Sequence, residues 1–128
     1  MTRVCLIDDD LFVRDALALG LGDAGYVVVT APGAAAGLDV LSRQQIDIVV
    51  TDLNMPGTHG SDLIAEARSR WPALPIIAMS GSSVVDNKSV DQVAQQLGAD
   101  AAIAKPFRAK QLADLMTRVL ADRRAEPP

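Results

Sequence analysis

A chain of 128 residues with 49% apolar but only 3% aromatic residues fits one domain whose core is built from Val, Leu, Ile and Ala, as a parallel sheet covered by helices would need. Its formal charge of -4 argues against a nucleic-acid face, because phosphate binding needs a basic stripe, and Arg118, Arg123 and Arg124 read instead as a helix terminus that suits the macrodipole. The single Cys5 rules out an internal disulfide, and no apolar run approaches membrane-spanning length.

Met1-Thr2-Arg3 leads straight into the first apolar run without a signal-peptide pattern, so a cytoplasmic location is expected, with Cys5 as a small buried hydrophobe in a reducing compartment. Arg3–Ile7 predicts a first strand that stops at Asp8-Asp9-Asp10. From Leu11 the period changes: Val13, Leu17, Leu21 and Ala24 recur at helical spacing until Gly25. Residues 26–30 predict a second strand, Pro32-Gly33 a turn, and Ala35, Leu38 and Leu41 the inner face of a second helix that fades by Gln44-Gln45. Residues 46–51 predict a third strand, which delivers Asp52 at its carboxyl end.

After the Met55-Pro56-Gly57 turn, Ser61 is the expected N-cap of a helix that turns Leu63, Ile64 and Ala67 inward and is stopped by Pro72. Residues 75–79 predict a fourth strand ending at Ser80, followed by a polar stretch. Val90, Val93, Ala94 and Leu97 then recur at helical spacing, closed by Gly98. Ala101–Ala104 predicts a fifth strand ending at Lys105-Pro106, and Leu112, Leu115, Met116, Val119 and Leu120 mark one face of a last helix. The domain is expected over residues 1–122, with residues 123–128 as a C-terminal tail.

Strand and helix alternate throughout, the pattern of an α/β fold with parallel strands. Right-handed crossovers place all the strand ends at one edge of the sheet, where such folds keep their ligand sites. The groups brought there are Asp8, Asp9, Asp52, Ser80 and Lys105. Two carboxylates about 4 Å apart repel by roughly 4 kcal/mol at an effective dielectric near 20, so three in one pocket need positive charge. Lys105 supplies one, and a divalent cation could supply two. An oxygen-only ligand set favours Mg²⁺, which keeps several waters and accepts phosphate oxygens. That combination suits phosphoryl transfer to a carboxylate, with Asp52 as nucleophile and Lys105 and the Ser80 hydroxyl on the transferring oxygens.

These motifs, Asp8-Asp9, Asp52 within Thr-Asp-Leu-Asn-Met-Pro-Gly-Thr-His-Gly, Ser80 and Lys105-Pro-Phe, resemble those of a response-regulator receiver domain of two-component signalling, and the resemblance runs from about residue 3 to residue 123. It implies a flavodoxin-like, doubly wound sheet of five parallel strands in the order 2-1-3-4-5 with five helices. It implies further that Asp52 is the phosphoacceptor, and that Asp8, Asp9, Asp52 and the backbone carbonyl of Asn54 hold Mg²⁺. Ser80 and Lys105 would contact the phosphoryl group, and the Lys105–Pro106 bond would be cis. The implied partners are a histidine kinase or histidine phosphotransfer protein as donor and a separate effector protein as receiver, with no membrane or nucleic acid; catalysis would be limited to the domain's own phosphorylation and dephosphorylation. The chain departs from the family in two places. Ala102 stands where an aromatic residue is usual, which rules out an aromatic rotamer switch there. The segment between Ser80 and Lys105 is longer than usual, with residues 84–88 as the extra length.

Simpler readings account for other motifs. Gly20-Leu21-Gly22-Asp23-Ala24-Gly25 matches G-x-G-x-x-G, but it closes a helix and precedes a strand, the reverse of a dinucleotide site, so helix closure and close packing explain it better. Asp10 reads as a helix N-cap, His59 as an exposed loop residue without a second transition-metal ligand, and Trp71 as a helix-end anchor. Two rival functions remain at this stage. One is a small Mg²⁺-dependent aspartyl-phosphate phosphatase, for which Asp52-Leu53-Asn54 weakly resembles a haloacid-dehalogenase-like nucleophile loop. The other is a receiver-like scaffold that binds partners without phosphorylation.

Overall fold

The apolar runs become strands and the helical repeats become their covering layers. The computed structural model describes residues 1–53, 60–81, 84–85, 88–89, 92, 95–96 and 98–125. In chain order its elements are β1 (Arg3–Ile7), α1 (Leu11–Asp23), β2 (Val27–Ala31), α2 (Ala34–Arg43), β3 (Ile48–Asp52), α3 (Gly60–Arg70), β4 (Ile76–Ser80), β5 (Val84–Val85), β6 (Lys88–Ser89), β7 (Ala101–Ala104) and α4 (Ala109–Ala125). The main sheet is parallel throughout, in the order β2-β1-β3-β4-β7. With β7 as its fifth strand, this is the expected 2-1-3-4-5 order.

β3 and β4 are buried along their whole length and do not alternate with polar residues, as strands covered on both faces should not. Successive side chains point to opposite faces and so divide the core in two. Cys5, Ile7, Val49 and Ala78 pack with Leu41, Leu63 and Ile64 on the α2/α3 side. Val4, Leu6, Val50, Ile77 and Met79 pack with Leu17, Leu21, Leu112 and Met116 on the α1/α4 side. At Gly20 an added Cβ would collide with the Ala109 Cβ, so α1 and α4 touch there with almost no side-chain spacer. Of the fingerprint-like glycines, Gly20 is therefore a packing residue, and Gly25, at φ 98°, ends α1 in the left-handed region.

Several expectations shift. β2, β3 and β4 each end one residue later than expected, because pairing with neighbouring strands, not side-chain type, sets where a ladder stops. Asp52 and Ser80 are thus themselves the last residues of their strands. On α2, Leu41 is buried and Leu38 packs against the core as expected, but Ala35 is exposed, and Ala34 and Gly37 turn inward instead. α3 already begins at Gly60, so Ser61 lies in its first turn and not at its N-cap. α4 runs on to Ala125, into the expected tail. Part of the extra length after Ser80 forms a small antiparallel pair, with Val84 opposite Ser89 and Val85 opposite Lys88. The helix expected over residues 90–97 falls mostly outside the described residues, of which Gln92, Gln95 and Gln96 are helical. Among the described residues, no helix is long and apolar enough to cross a membrane.

Candidate functional site

Asp8 follows β1 and is fully buried, its backbone N–H extending the ladder to the Ala31 carbonyl at 3.2 Å. Its two carboxylate oxygens have different partners. Oδ1 accepts the Asp10 backbone N–H at 2.9 Å, and Oδ2 accepts Lys105 Nζ at 2.9 Å. Asp9, next along, is exposed. Asp10 turns its carboxylate back onto α1, where Oδ1 accepts the N–H groups of Phe12 (2.9 Å) and Val13 (3.2 Å) as the N-cap. Three consecutive aspartates thus have three different roles.

On the neighbouring strand Asp52 closes β3 and is also buried, and its Oδ2 accepts Lys105 Nζ at 3.0 Å. One carboxylate oxygen each from Asp8, Asp9 and Asp52 lie within 4.8 Å of one another. Ser80 closes β4, buried beside this cluster, with Asp52 paired to Met79 and Ser80 to Ala104. Lys105 leaves β7 with its N–H bonded to the Ser80 carbonyl at 2.6 Å, and the Lys105–Pro106 peptide is cis, as the family resemblance implied.

The pocket gathers three carboxylates, two of them in contact with one ammonium, a formal charge of -2. Burial works against the charged form of Lys105, but the hydrogen bonds and negative charges of Asp8 and Asp52 outweigh it and hold its pKa above the ordinary 10.5. The lysine therefore stays cationic at any physiological pH. A hard divalent cation fits what remains: the donors are all oxygen, they already converge, and the charge left over by Lys105 matches that of Mg²⁺. Chemically, the arrangement can hold a nucleophilic carboxylate beside fixed positive charge, with a buried hydroxyl at the adjoining strand end.

Of the residues singled out in the sequence, Asp8, Asp9, Asp52 and Lys105 come together and Ser80 lies at the adjacent strand end. Asn54 and His59 lie outside the described residues. Sequence reasoning missed Arg14, whose Nη1 donates to the Asp8 carbonyl at 2.9 Å. Its only signal was its place one turn into the helix that follows the acidic run.

Known proteins share this architecture. A sequence profile described as "Response regulator receiver domain" matches residues 4–117. The response regulator protein FleR of Pseudomonas aeruginosa is 38% identical over 116 residues, 91% of this chain and 24% of FleR. The two-component response regulator PhoP of the same species is 34% identical over 110 residues, 86% of this chain and 48% of PhoP. Among solved structures, the chemotaxis response regulator CheY4 of Vibrio cholerae superposes with a TM-score of 0.83 at 28% identity, covering 93% of this chain and 98% of CheY4. A CheY-like receiver-domain protein of Methanospirillum hungatei gives 0.88 at 25% identity, covering 99% of both chains. The chain spans between a tenth and about a half of the length of the curated relatives it matches.

Proposed function

The chain belongs to the response-regulator receiver family, and on that premise we propose that it is a phosphoacceptor module of a two-component relay. It takes a phosphoryl group onto Asp52 from a phosphohistidine of a sensor kinase or histidine phosphotransfer protein. The observation that carries this reading is the placement of Lys105 Nζ between Asp8 and Asp52, at 2.9 and 3.0 Å, with Asp9 completing an acidic cluster.

A carboxylate oxygen of Asp52 forms a bond to phosphorus as the phosphorus–nitrogen bond of the donor breaks, and the electron pair of that bond returns to the imidazole, which takes up a proton. As charge moves onto the phosphoryl oxygens, the Lys105 ammonium follows it from the Asp52 carboxylate. The Ser80 hydroxyl donates to another of these oxygens. Asp8, Asp9, Asp52 and the Asn54 backbone carbonyl would hold Mg²⁺, which supplies neutralisation of the transferring oxygens. Hydrolysis later restores the carboxylate, as water attacks phosphorus and the aspartyl oxygen–phosphorus bond breaks. The phosphorylated state favours a different partner-binding surface, which a separate effector reads.

Intact-mass measurement after incubation with Mg²⁺ and a small acyl phosphate tests the assignment. One added phosphoryl group is expected, absent in Asp52→Asn; an adduct that persists in that variant refutes it.

A further inference from the structure

β7 has little of its own to hold its register. It is an edge strand made of Ala101, Ala102, Ile103 and Ala104, all partly buried. Register depends on which side chains fill which face, and Ile103 is the only large side chain of β7 whose seating resists a slide by one place. Lys105, one residue past the strand, must nevertheless reach Asp8 at 2.9 Å and Asp52 at 3.0 Å. One residue of slip carries it along the strand by about 3.3 Å, enough to break both contacts.

Among the described residues, what fixes the other end of β7 is polar. Arg68, in the last turn of α3, donates from Nε to the Gly98 carbonyl (3.0 Å), from Nη1 to the carbonyls of Pro72 (2.7 Å) and Leu74 (2.8 Å), and from Nη2 to Asp100 Oδ2 (3.0 Å). The same Asp100 oxygen accepts the backbone N–H of Ile76 at 2.8 Å, while the Asp100 N–H donates to the Ile76 carbonyl at 2.8 Å. Asp100 immediately precedes β7 and Ile76 opens β4. The first rung between these strands is therefore held by a side chain as well as by the main chain. Arg68 is itself well anchored, since Leu63, Ile64 and Ala67 bury α3 against the sheet. Gly98, at φ 96°, makes the turn that presents its carbonyl to the guanidinium.

We propose that Arg68, acting through Asp100, is a positioning residue for Lys105: the clamp sets the β4–β7 register and so places the ammonium between Asp8 and Asp52. Its effect on phosphorylation rests on the phosphoacceptor reading above; its effect on register does not.

The test uses the full chain with Asp100→Ala, Arg68→Met and the milder Arg68→Lys, which keeps the charge but cannot make four hydrogen bonds in one plane. Amide hydrogen exchange across the sheet and the rate of phosphoryl-adduct formation from a small acyl phosphate with Mg²⁺ are measured where circular dichroism shows each variant folded. Faster exchange confined to β7, with β1 and β3 unchanged, is expected, together with a phosphorylation rate lowered by about 10- to 100-fold. Folded variants that unfold at lower temperature but keep wild-type β7 exchange and phosphorylation would make the clamp a stability element only and overturn the proposal. If the two stronger variants do not fold, Arg68→Lys decides, with the same pattern at smaller amplitude. If the wild-type chain forms no adduct, the phosphoacceptor reading fails, and β7 exchange alone decides the clamp.

Discussion

Lys105→Met removes the ammonium while keeping most of the apolar stem. In the wild type, Nζ lies 2.9 Å from Asp8 Oδ2 and 3.0 Å from Asp52 Oδ2, with side-chain exposures of 24% for the lysine, 0% for Asp8 and 6% for Asp52. At an effective dielectric near 20 each contact has a gross Coulomb energy of about 5 to 6 kcal/mol. Desolvation cancels much of this, and losing one partner of a buried pair typically costs about 3 to 5 kcal/mol. Because the lysine is partly exposed, solvent screening puts the expected loss at or just below the bottom of that range, about 2 to 3 kcal/mol. Urea unfolding in metal-free buffer measures it. Saturating Mg²⁺ should then shrink the deficit, since it replaces positive charge in the same acidic pocket and binds the folded state. A double-mutant cycle with Asp52→Asn should give a coupling of about 1 to 3 kcal/mol. If Lys105→Met is as stable as the wild type without metal, the lysine is not holding the pocket together. A deficit unchanged by Mg²⁺ would refute the assignment of the acidic cluster as the metal site.

Other consequences can be measured directly. Since the folded pKa of Lys105 is raised above 10.5, the native chain keeps a proton that the unfolded chain loses between these values, so stability falls as pH rises through that interval. The gap between wild type and Lys105→Met in unfolding midpoint should be flat from pH 7 to about 9.5 and narrow above that; a gap that closes below pH 8 would assign the effect to another group. Gly20→Ala places a methyl against the Ala109 Cβ, which cannot rotate away. Overpacking should outweigh the gain in helix propensity and cost about 1 to 2 kcal/mol, recovered in the double variant with Ala109→Gly; an undiminished loss there would place the strain elsewhere. Cys5 is buried and its thiol pKa is pushed up to about 12, so alkylation at pH 8 should follow global unfolding and accelerate with urea. Labelling of the native chain at the rate of a free thiol would contradict that burial.

Much of this was legible in the sequence because the site is made of charges placed where strands stop. Asp8, Asp52 and Lys105 each interrupt an apolar run, and a parallel fold has only one edge at which those interruptions can meet. Asp10 was legible as a cap because it precedes a change of period, and the structure shows its carboxylate on the N–H groups of Phe12 and Val13. The Arg68 clamp was not legible. Three of its four hydrogen bonds end on backbone carbonyls, which every residue type offers, so nothing in the letters at 72, 74 and 98 marks them as partners. On α2, Ala35 was misplaced for a related reason, although Leu38 and Leu41 do pack inward. Ala34, Ala35 and Ala36 are identical in size, and only the seating of Gly37 and Leu41 against the sheet decides which of them turns inward.

Asp8 is also a mechanical part. A carboxylate is a rigid plane, and here one of its oxygens is held by the amide of Asp10, the N-cap of α1, while the other is held by the lysine. The two grips cannot move independently: when Lys105 shifts toward a new anion, the plane turns and the Asp10 amide feels it. The Asp10 N–H, on the residue that caps α1, is thus linked through the Asp8 carboxylate to Lys105 near the other end of the chain, and its resonance is a place to read changes in that ion pair.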